Sequence, residues 1–128
     1  MPVSKQSFAA RLAGLDQLAT RLCIGVDPHP DTLQQWGLSD TPAGVSEFSQ
    51  LILGAAGEAG ITLMKPQVAL FERHGVAGLG VLAEWLGAAR EKGIAVIADV
   101  KRGDIGSSLR GYADAWLTPG ADFEADAM

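Results

Sequence analysis

Residues 99–108, with the sequence DVKRGDIGSS, place charged side chains directly after an apolar run. Asp99, Lys101 and Asp104 follow the run at 94–98 within six positions. On an extended strand Asp99 and Lys101 point to the same face, with Cα atoms about 6.5–7 Å apart. A carboxylate and an ammonium on one face can act on one ligand together, because one stabilises charge while the other delivers a proton.

Charged residues also follow two other apolar stretches of the chain. Asp27 ends the stretch at 21–26, and Lys65 ends the stretch at 61–64. If these stretches are parallel strands, their carboxyl ends meet at the edge of the sheet where α/β enzymes carry their active sites. We therefore predict that Asp27 and Lys65 share one site with the charges at 99–104.

A structural network of salt bridges is the alternative interpretation of this D-x-K-x-x-D pattern, and for an arbitrary match it is the favoured one. Taking four charges out of water costs on the order of several kcal/mol per ion, so stability alone does not call for such an array. Charges at the ends of all three strands favour a functional site instead.

Strands and helices alternate along the sequence. The stretches at 21–26, 61–64 and 94–100 lack a polar face, which predicts parallel strands covered on both sides. Helical spacing of apolar residues predicts four helices around these strands. The first contains Phe8, Leu12 and Leu15, and the second starts at Thr41-Pro42 and stops at Gly60. The third runs from Leu79 to a stop at Gly93, and the last has a cap at Ser107 or Ser108 followed by Leu109, Tyr112, Ala113 and Trp116.

Strand and helix units at intervals of about 35–40 residues predict right-handed βαβ units around a parallel sheet. A closed (β/α)8 TIM barrel needs about 250 residues. The 128 residues present are enough for its first half. A doubly wound open sheet can be completed with fewer residues than a closed barrel, so both architectures stay open at this point.

Composition excludes several classes of function. The net charge is −5 and the basic residues are scattered, so we expect no nucleic-acid partner. No apolar run approaches the roughly 18 residues of a membrane span, and the N-terminus lacks a signal-peptide layout, which predicts a cytoplasmic protein with no membrane partner. Cys23 is predicted to be a small core residue. His29 and the segment 72–74 lack metal-ligand spacing, so no metal site is predicted.

Three segments together resemble one enzyme family. DVKRGDIGSS, with LCIGVDPHPDTL before it and MKPQVALFERHG between them, is similar to the longer bacterial branch of the orotidine 5'-phosphate decarboxylases. The D-x-K-x-x-D pattern alone is shared with sugar-phosphate relatives, whereas KRGDIGSS and KPQ..LFE..G are more specific. The resemblance runs along nearly the whole chain, and it implies that residues 1–128 are the N-terminal part of a single (β/α)8 TIM barrel domain, incomplete as given.

The resemblance implies roles for individual residues. Lys101 would protonate C6 of the pyrimidine, and Asp99 would lie beside the departing CO2. Lys65 would hydrogen-bond Asp99 and the ribose, and Asp27 would hold a ribose hydroxyl. The reaction, orotidine 5'-phosphate to UMP, would use no metal or organic cofactor.

The resemblance also implies a homodimer with shared active sites. Asp104 would reach the neighbouring subunit's site beside its lysine, and Ser107 and Ser108, which we count as substrate-binding residues, would lie near the same interface. Members of this branch are about twice as long, and their second half carries the phosphate grip and a mobile loop. The 128 residues alone are therefore expected to be inactive.

Two other functions stay open. A related sugar-phosphate decarboxylase or aldolase would use the same carboxylates to hold Mg²⁺. A catalytically silent fragment that only associates with partner chains is the third possibility.

Overall fold

The computed structural model describes residues 6–13 and 21–128. The elements follow in chain order as α1 (Phe8–Ala13), β1 (Cys23–Val26), α2 (Pro30–Gln35), α3 (Pro42–Glu58), β2 (Leu63–Pro66), α4 (Val68–Glu72), α5 (Gly75–Glu91), β3 (Ala95–Val96) and α6 (Gly106–Leu117). No helix within these described residues is both long and apolar enough to cross a membrane.

The strands form a parallel sheet in the order β1-β2-β3. Helices α2 and α3 connect β1 to β2, and helices α4 and α5 connect β2 to β3, so strands and helices alternate as the sequence predicts. Ile97 forms a further parallel bridge with Ala127, so the end of the described chain lies beside β3, in the position of a next strand. The predicted parallel sheet with crossover helices is confirmed.

Strand β3 is shorter than the predicted strand at 94–100. Regular pairing covers only Ala95–Val96, and isolated bridges continue it at Ile97 and Asp99. The Val100 N–H donates to the Ala98 carbonyl at 3.0 Å, which turns the backbone away from the ladder. The run of apolar residues predicts a continuous strand, because residue type alone does not indicate this local hydrogen bond.

Helix α3 begins and ends where the sequence predicts. The Thr41 hydroxyl accepts a hydrogen bond from the Gly44 N–H at 3.2 Å, and Pro42 occupies the first turn. Gly60, with φ of 75°, ends the segment, because glycine adopts this left-handed conformation at little cost.

The core lies between the sheet and helices α3 and α5, which pack against each other. Trp85 of α5 is fully buried, and its indole N–H donates to the Ser49 carbonyl of α3 at 3.0 Å. In β1 Val26 is buried, whereas Cys23 is exposed. The prediction that Cys23 is a core residue is wrong, because β1 is an edge strand of the described sheet and the core covers its Val26 side.

The two outer predicted helices are present, but the predicted cap of the last one is wrong. Helix α1 covers Phe8–Ala13, and the predicted Leu15 position lies outside the described residues. Helix α6 begins at Gly106, whose φ of 59° makes the turn, and Ile105 occupies the cap position without a side-chain hydrogen bond. Neither Ser107 nor Ser108 caps this helix; both lie in its first turn, because the glycine lets the helix begin before them.

We predict that alanine at Gly44 destabilises the fold, whereas alanine at Gly54 of the same helix does not. A Cβ at Gly44 would overlap the Ser39 carbonyl, while a Cβ at Gly54 would meet nothing within 4 Å. Gly44→Ala should lower the free energy of unfolding by about 1–3 kcal/mol, and Gly54→Ala should raise it by about 0.5–1 kcal/mol. Urea unfolding of both variants measures this; equal effects would contradict the close approach of Ser39 to α3.

Candidate active site

The carboxyl ends of the three strands meet at one edge of the sheet. The Gln67 N–H donates to the Val26 carbonyl at 3.1 Å, and Gln67 forms a parallel bridge with Asp99. The Asp99 N–H donates to the Pro66 carbonyl at 3.1 Å, and Asp99 in turn accepts from the Val68 N–H at 3.2 Å. These main-chain hydrogen bonds fix Asp99 next to the start of the loop that follows β2.

Lys101 contacts Asp99 directly. Its ammonium lies 2.6 Å from Asp99 Oδ2 and also donates to Gln67 Oε1 at 3.2 Å. The Gln67 amide nitrogen donates to the same Asp99 oxygen at 3.3 Å. Three side chains from two strand ends therefore form one hydrogen-bonded cluster, in which a carboxylate, an ammonium and an amide each contact the other two.

The backbone of Lys101 is left-handed, with φ of 48°, and it is the one non-glycine residue with positive φ in the described part of the chain. Such a conformation costs a lysine on the order of 1–2 kcal/mol. The prediction that Asp99 and Lys101 face the same way is confirmed, but not through strand alternation, because the extended strand has ended before Lys101. Lys101 contacts Asp99 from this left-handed turn instead.

The charge balance of the cluster favours an ionised Asp99. The hydrogen bond from Lys101 is the main cause that lowers the pKa of the Asp99 carboxyl, the charge on Lys65 and the Gln67 amide act in the same direction, and partial burial opposes them. Lys65 lies on β2 opposite Gly25 and acts on Asp99 through its charge. Within the described residues no hydrogen bond joins Lys65 to Asp99; Gln67 and Lys101 hold that carboxylate.

Asp27 follows β1 at the same edge of the sheet. Its Oδ1 is buried and has no hydrogen-bond partner among the described residues. A buried carboxylate oxygen without a donor is costly, and in native proteins it commonly receives a hydrogen bond from water or a ligand. Asp27 is therefore suited to accept a hydrogen bond from a ligand hydroxyl.

The remaining predicted site residues lie in or after the loop that leaves Val100. Asp104 is exposed, and its Oδ1 accepts a hydrogen bond from the Ile105 N–H at 2.8 Å. No ion pair joins Asp104 to Lys101 in the part of the chain that the structure describes. Ser107 and Ser108 are exposed in the first turn of α6. The structure thus brings Asp99, Lys101 and Lys65 together but leaves Asp104 and the two serines at the surface.

Other charged residues near this edge hold loops in place. Arg102 pairs with Glu72 at the end of α4, and Arg73 pairs with Asp40 at 2.5 Å. The Arg73 hydrogen bond is the main cause that lowers the pKa of the Asp40 carboxyl. Among residues 6–13 and 21–128, no three His, Cys, Asp or Glu side chains lie close enough together to hold a metal ion.

One cavity of the described chain lies apart from this cluster. It measures about 230 Å³ and is lined by residues that include Arg11, Arg90, Glu124 and Asp126. The Arg11–Asp126 pair at 2.5 Å and the Arg90–Glu124 pair at 3.5 Å neutralise its charges within the fold. The candidate site is the cluster around Asp99, because its carboxylate and ammonium can act together on a ligand.

Gln67 is the site residue that sequence reasoning missed. A glutamine after a proline carries no charge, so it does not stand out among charged strand ends. The signal that could have found it is its position two residues after Lys65, where alternation places both side chains on one face of the extended chain.

Comparisons with known proteins agree on one family. The sequence profile of the orotidine 5'-phosphate decarboxylase / HUMPS family matches residues 20–126. A Corynebacterium efficiens protein named orotidine 5'-phosphate decarboxylase is 45% identical over 123 residues, which are 96% of this chain and 44% of that protein. A Myxococcus xanthus protein of the same name is 42% identical over 122 residues, which are 95% of this chain and 42% of that protein.

Solved structures share the fold. A Streptomyces avermitilis protein superposes with a TM-score of 0.89 at 41% identity, over 96% of this chain and 43% of that one. Leishmania donovani OMP decarboxylase superposes with a TM-score of 0.68 at 28% identity, over 91% of this chain and 42% of that one. These findings confirm the family resemblance and the first half of a (β/α)8 barrel, and the chain spans less than half the length of these relatives.

We predict that glycine at position 101 gives a more stable protein than alanine. Both variants lose the contact with Asp99, but only glycine adopts the left-handed backbone without strain. After the greater chain entropy of glycine is subtracted, Lys101→Gly should be about 0.5–1 kcal/mol more stable than Lys101→Ala in urea unfolding.

Exposed Glu47 within α3 provides the matched control. There Glu47→Ala should be more stable than Glu47→Gly by about 1 kcal/mol, because alanine is the better helix former. The same order of stability at both positions would contradict a strained backbone at Lys101.

Proposed function

The chain belongs to the orotidine 5'-phosphate decarboxylase / HUMPS family, and on this premise we propose that it is the N-terminal half of a carbon–carbon lyase that converts orotidine 5'-phosphate to UMP in pyrimidine biosynthesis. The observation that carries the proposal is the contact of 2.6 Å between the Lys101 ammonium and the Asp99 carboxylate at the carboxyl end of the sheet. An acid and an anion in contact at this edge are the groups that the reaction requires.

The reaction breaks the bond between C6 of the pyrimidine and its carboxylate. CO2 leaves, and the bonding electron pair stays on C6 until a proton arrives. In the proposal the Lys101 ammonium stabilises this developing negative charge and then donates a proton from Nζ to C6. The neighbouring Asp99 holds this ammonium in place through their contact of 2.6 Å.

Asp99 has a second role in the proposal. Its carboxylate lies beside the substrate carboxylate, and repulsion between them disappears when CO2 forms. Such an interaction favours the transition state over the bound substrate, which is the condition for acceleration of the chemical step. The lowered pKa of Asp99 supports this role, because only the ionised form repels the substrate.

Asp27, Lys65, Ser107 and Ser108 are the proposed substrate-binding residues. The unpartnered Asp27 Oδ1 supports a hydrogen bond to a ribose hydroxyl. Lys65 lies within electrostatic reach of Asp99 and supplies a second cation beside the ribose. The phosphate contacts are assigned to the second half of the barrel, which explains why the 128 residues alone are expected to be inactive.

The proposal includes a homodimer in which Asp104 completes the partner's site. Ile105 beside Asp104 is 84% exposed, and Leu109, four residues further on, is 41% exposed. In the proposed dimer a partner subunit covers these two apolar side chains. Asp104 itself contacts only the neighbouring backbone within the described chain, which leaves its carboxylate free to meet a partner lysine.

The names of the relatives favour this substrate over a sugar phosphate. The family name covers both groups, but the Corynebacterium efficiens and Myxococcus xanthus relatives are both named orotidine 5'-phosphate decarboxylase. The substrate is a small nucleotide of central metabolism, so the proposed location is the cytoplasm. The proposed reaction requires neither a metal ion nor an organic cofactor.

We predict that Lys101→Ala abolishes most turnover without abolishing ligand binding. The test uses a completed protein, in which residues 1–128 are joined to the C-terminal part of the Corynebacterium efficiens relative. Loss of the general acid should lower kcat by about 10²- to 10⁴-fold, while UMP still binds, because the lysine acts mainly on the transition state. Decarboxylation assays and calorimetric titration with UMP measure the two effects.

Two controls accompany this measurement. The 128-residue chain alone should give no turnover, and EDTA should leave the activity of the completed protein unchanged. Activity that EDTA removes and Mg²⁺ restores would instead identify the sugar-phosphate type of site. Lys101→Ala with full activity would refute the proposed role of the lysine.

We predict that two inactive variants restore activity when they share a dimer. Lys101→Ala and Asp104→Ala homodimers of the completed protein should each be severely impaired. A mixed dimer has one site with both lesions and one with neither, because a two-fold interface exchanges the same residues in both directions. Random exchange makes half of the dimers mixed, so activity should recover to about one quarter of that of the unmutated protein.

Native mass spectrometry confirms that mixed dimers have formed. If they form and activity remains at the level of the separate variants, Asp104 acts within its own subunit or not at all. Single-subunit species in the unmutated protein would refute the dimer itself.

A further inference from the structure

Gln67 contacts both charged groups of the proposed reaction. Its amide nitrogen donates to Asp99 Oδ2 at 3.3 Å, and its amide oxygen accepts from the Lys101 ammonium at 3.2 Å. An ionised carboxylate can only accept hydrogen bonds and an ammonium can only donate them. A neutral side chain can therefore bond to both groups only if it carries a donor and an acceptor side by side. The primary amide of glutamine carries both.

The backbone holds this amide in place. The Gln67 N–H is bonded to the Val26 carbonyl of β1, and Gln67 forms a bridge with Asp99. Gln67 occupies the cap position of α4, yet its side chain makes no capping hydrogen bond. Its amide therefore contacts the charged pair instead of the helix that follows.

Of the three side chains in the cluster, Lys101 most needs a second hydrogen bond to hold it in one position. Its side chain is 64% exposed, and a lysine loses considerable rotamer freedom when it is held in one position. Asp99 alone provides one point of attachment. Gln67 provides a second from a different strand end, and two points restrict where the ammonium can lie.

We propose that Gln67 is a positioning residue, which holds the Lys101 ammonium and the Asp99 carboxylate in a fixed mutual arrangement for the proposed decarboxylation. The inference rests on the proposed function for its catalytic consequence. Its structural basis, the two hydrogen bonds and the main-chain bonds of Gln67, is independent of the substrate. Gln67 does not transfer the proton; it acts through Lys101 and Asp99.

The test compares Gln67→Leu, Gln67→Glu and the unmutated completed protein. Gln67→Leu removes both hydrogen bonds, and kcat should fall by about 10- to 100-fold, with KM changed by less than about threefold, because the lysine is no longer aligned with C6. The pKa of Asp99 should rise, because a hydrogen bond that favours its ionised form is lost. The acidic limb of the kcat profile should therefore move to higher pH.

Gln67→Glu keeps the shape of the side chain and guards against misfolding of the leucine variant. Its carboxylate can still accept from Lys101 but cannot donate to Asp99, and its negative charge repels that residue. The pKa of Asp99 should rise in this variant too. Gln50→Leu on the exposed face of α3 is the matched control and should change neither the pKa nor kcat.

The pKa of Asp99 is measured by carboxyl ¹³C NMR with labelled aspartate, with Asp99→Asn used to assign the signal. This measurement needs no activity, so it tests Gln67 even if the completed protein decarboxylates nothing, a result that would refute only the proposed function. An unchanged Asp99 pKa in both Gln67 variants overturns the positioning role. Reduced stability in urea with no change of the pKa or the pH profile would equally identify Gln67 as a structural residue only.

Discussion

The parallel pairing of three strand ends is the constraint on which the site depends. The Gln67 N–H bonds to the Val26 carbonyl and the Asp99 N–H bonds to the Pro66 carbonyl, so the residues after β1, β2 and β3 lie in one row. Parallel strands require helical crossovers, and those crossovers bring every carboxyl end to the same edge. Side chains that are more than thirty residues apart in sequence thereby come within hydrogen-bond distance.

The same edge collects features that stability alone does not favour. Lys101 has a left-handed backbone, and Asp27 has a buried carboxylate oxygen without a hydrogen-bond donor. Each of these costs free energy or requires compensation, and each is tolerated because the core behind the strands is well packed. Trp85, which is fully buried between α3 and α5, is part of that core. The division between a packed helical side and a costly strand edge is typical of α/β enzymes.

The half-barrel explains why some predicted site residues remain apart. Asp104 and the serines that follow it lie on an exposed loop and helix start, away from Lys101. The family relatives are more than twice as long as this chain, and the described sheet matches less than half of their length. In the proposed enzyme the missing contacts come from the second half of the barrel and from a partner subunit. In that proposal the 128 residues carry the reacting groups, and the groups that enclose the substrate come from elsewhere.

The sequence by itself determined the alternation of strands and helices, the limits of α3, and the grouping of Asp27, Lys65, Asp99 and Lys101 at one edge. These follow from apolar runs, capping residues and chain order, which are local properties. Only the tertiary structure decided that β3 ends early, that Lys101 reaches Asp99 through a left-handed turn, that Cys23 is exposed, and that Gln67 joins the charged pair. Each of these depends on a hydrogen bond or a covering surface contributed by another segment, and residue type along the chain does not specify such a partner.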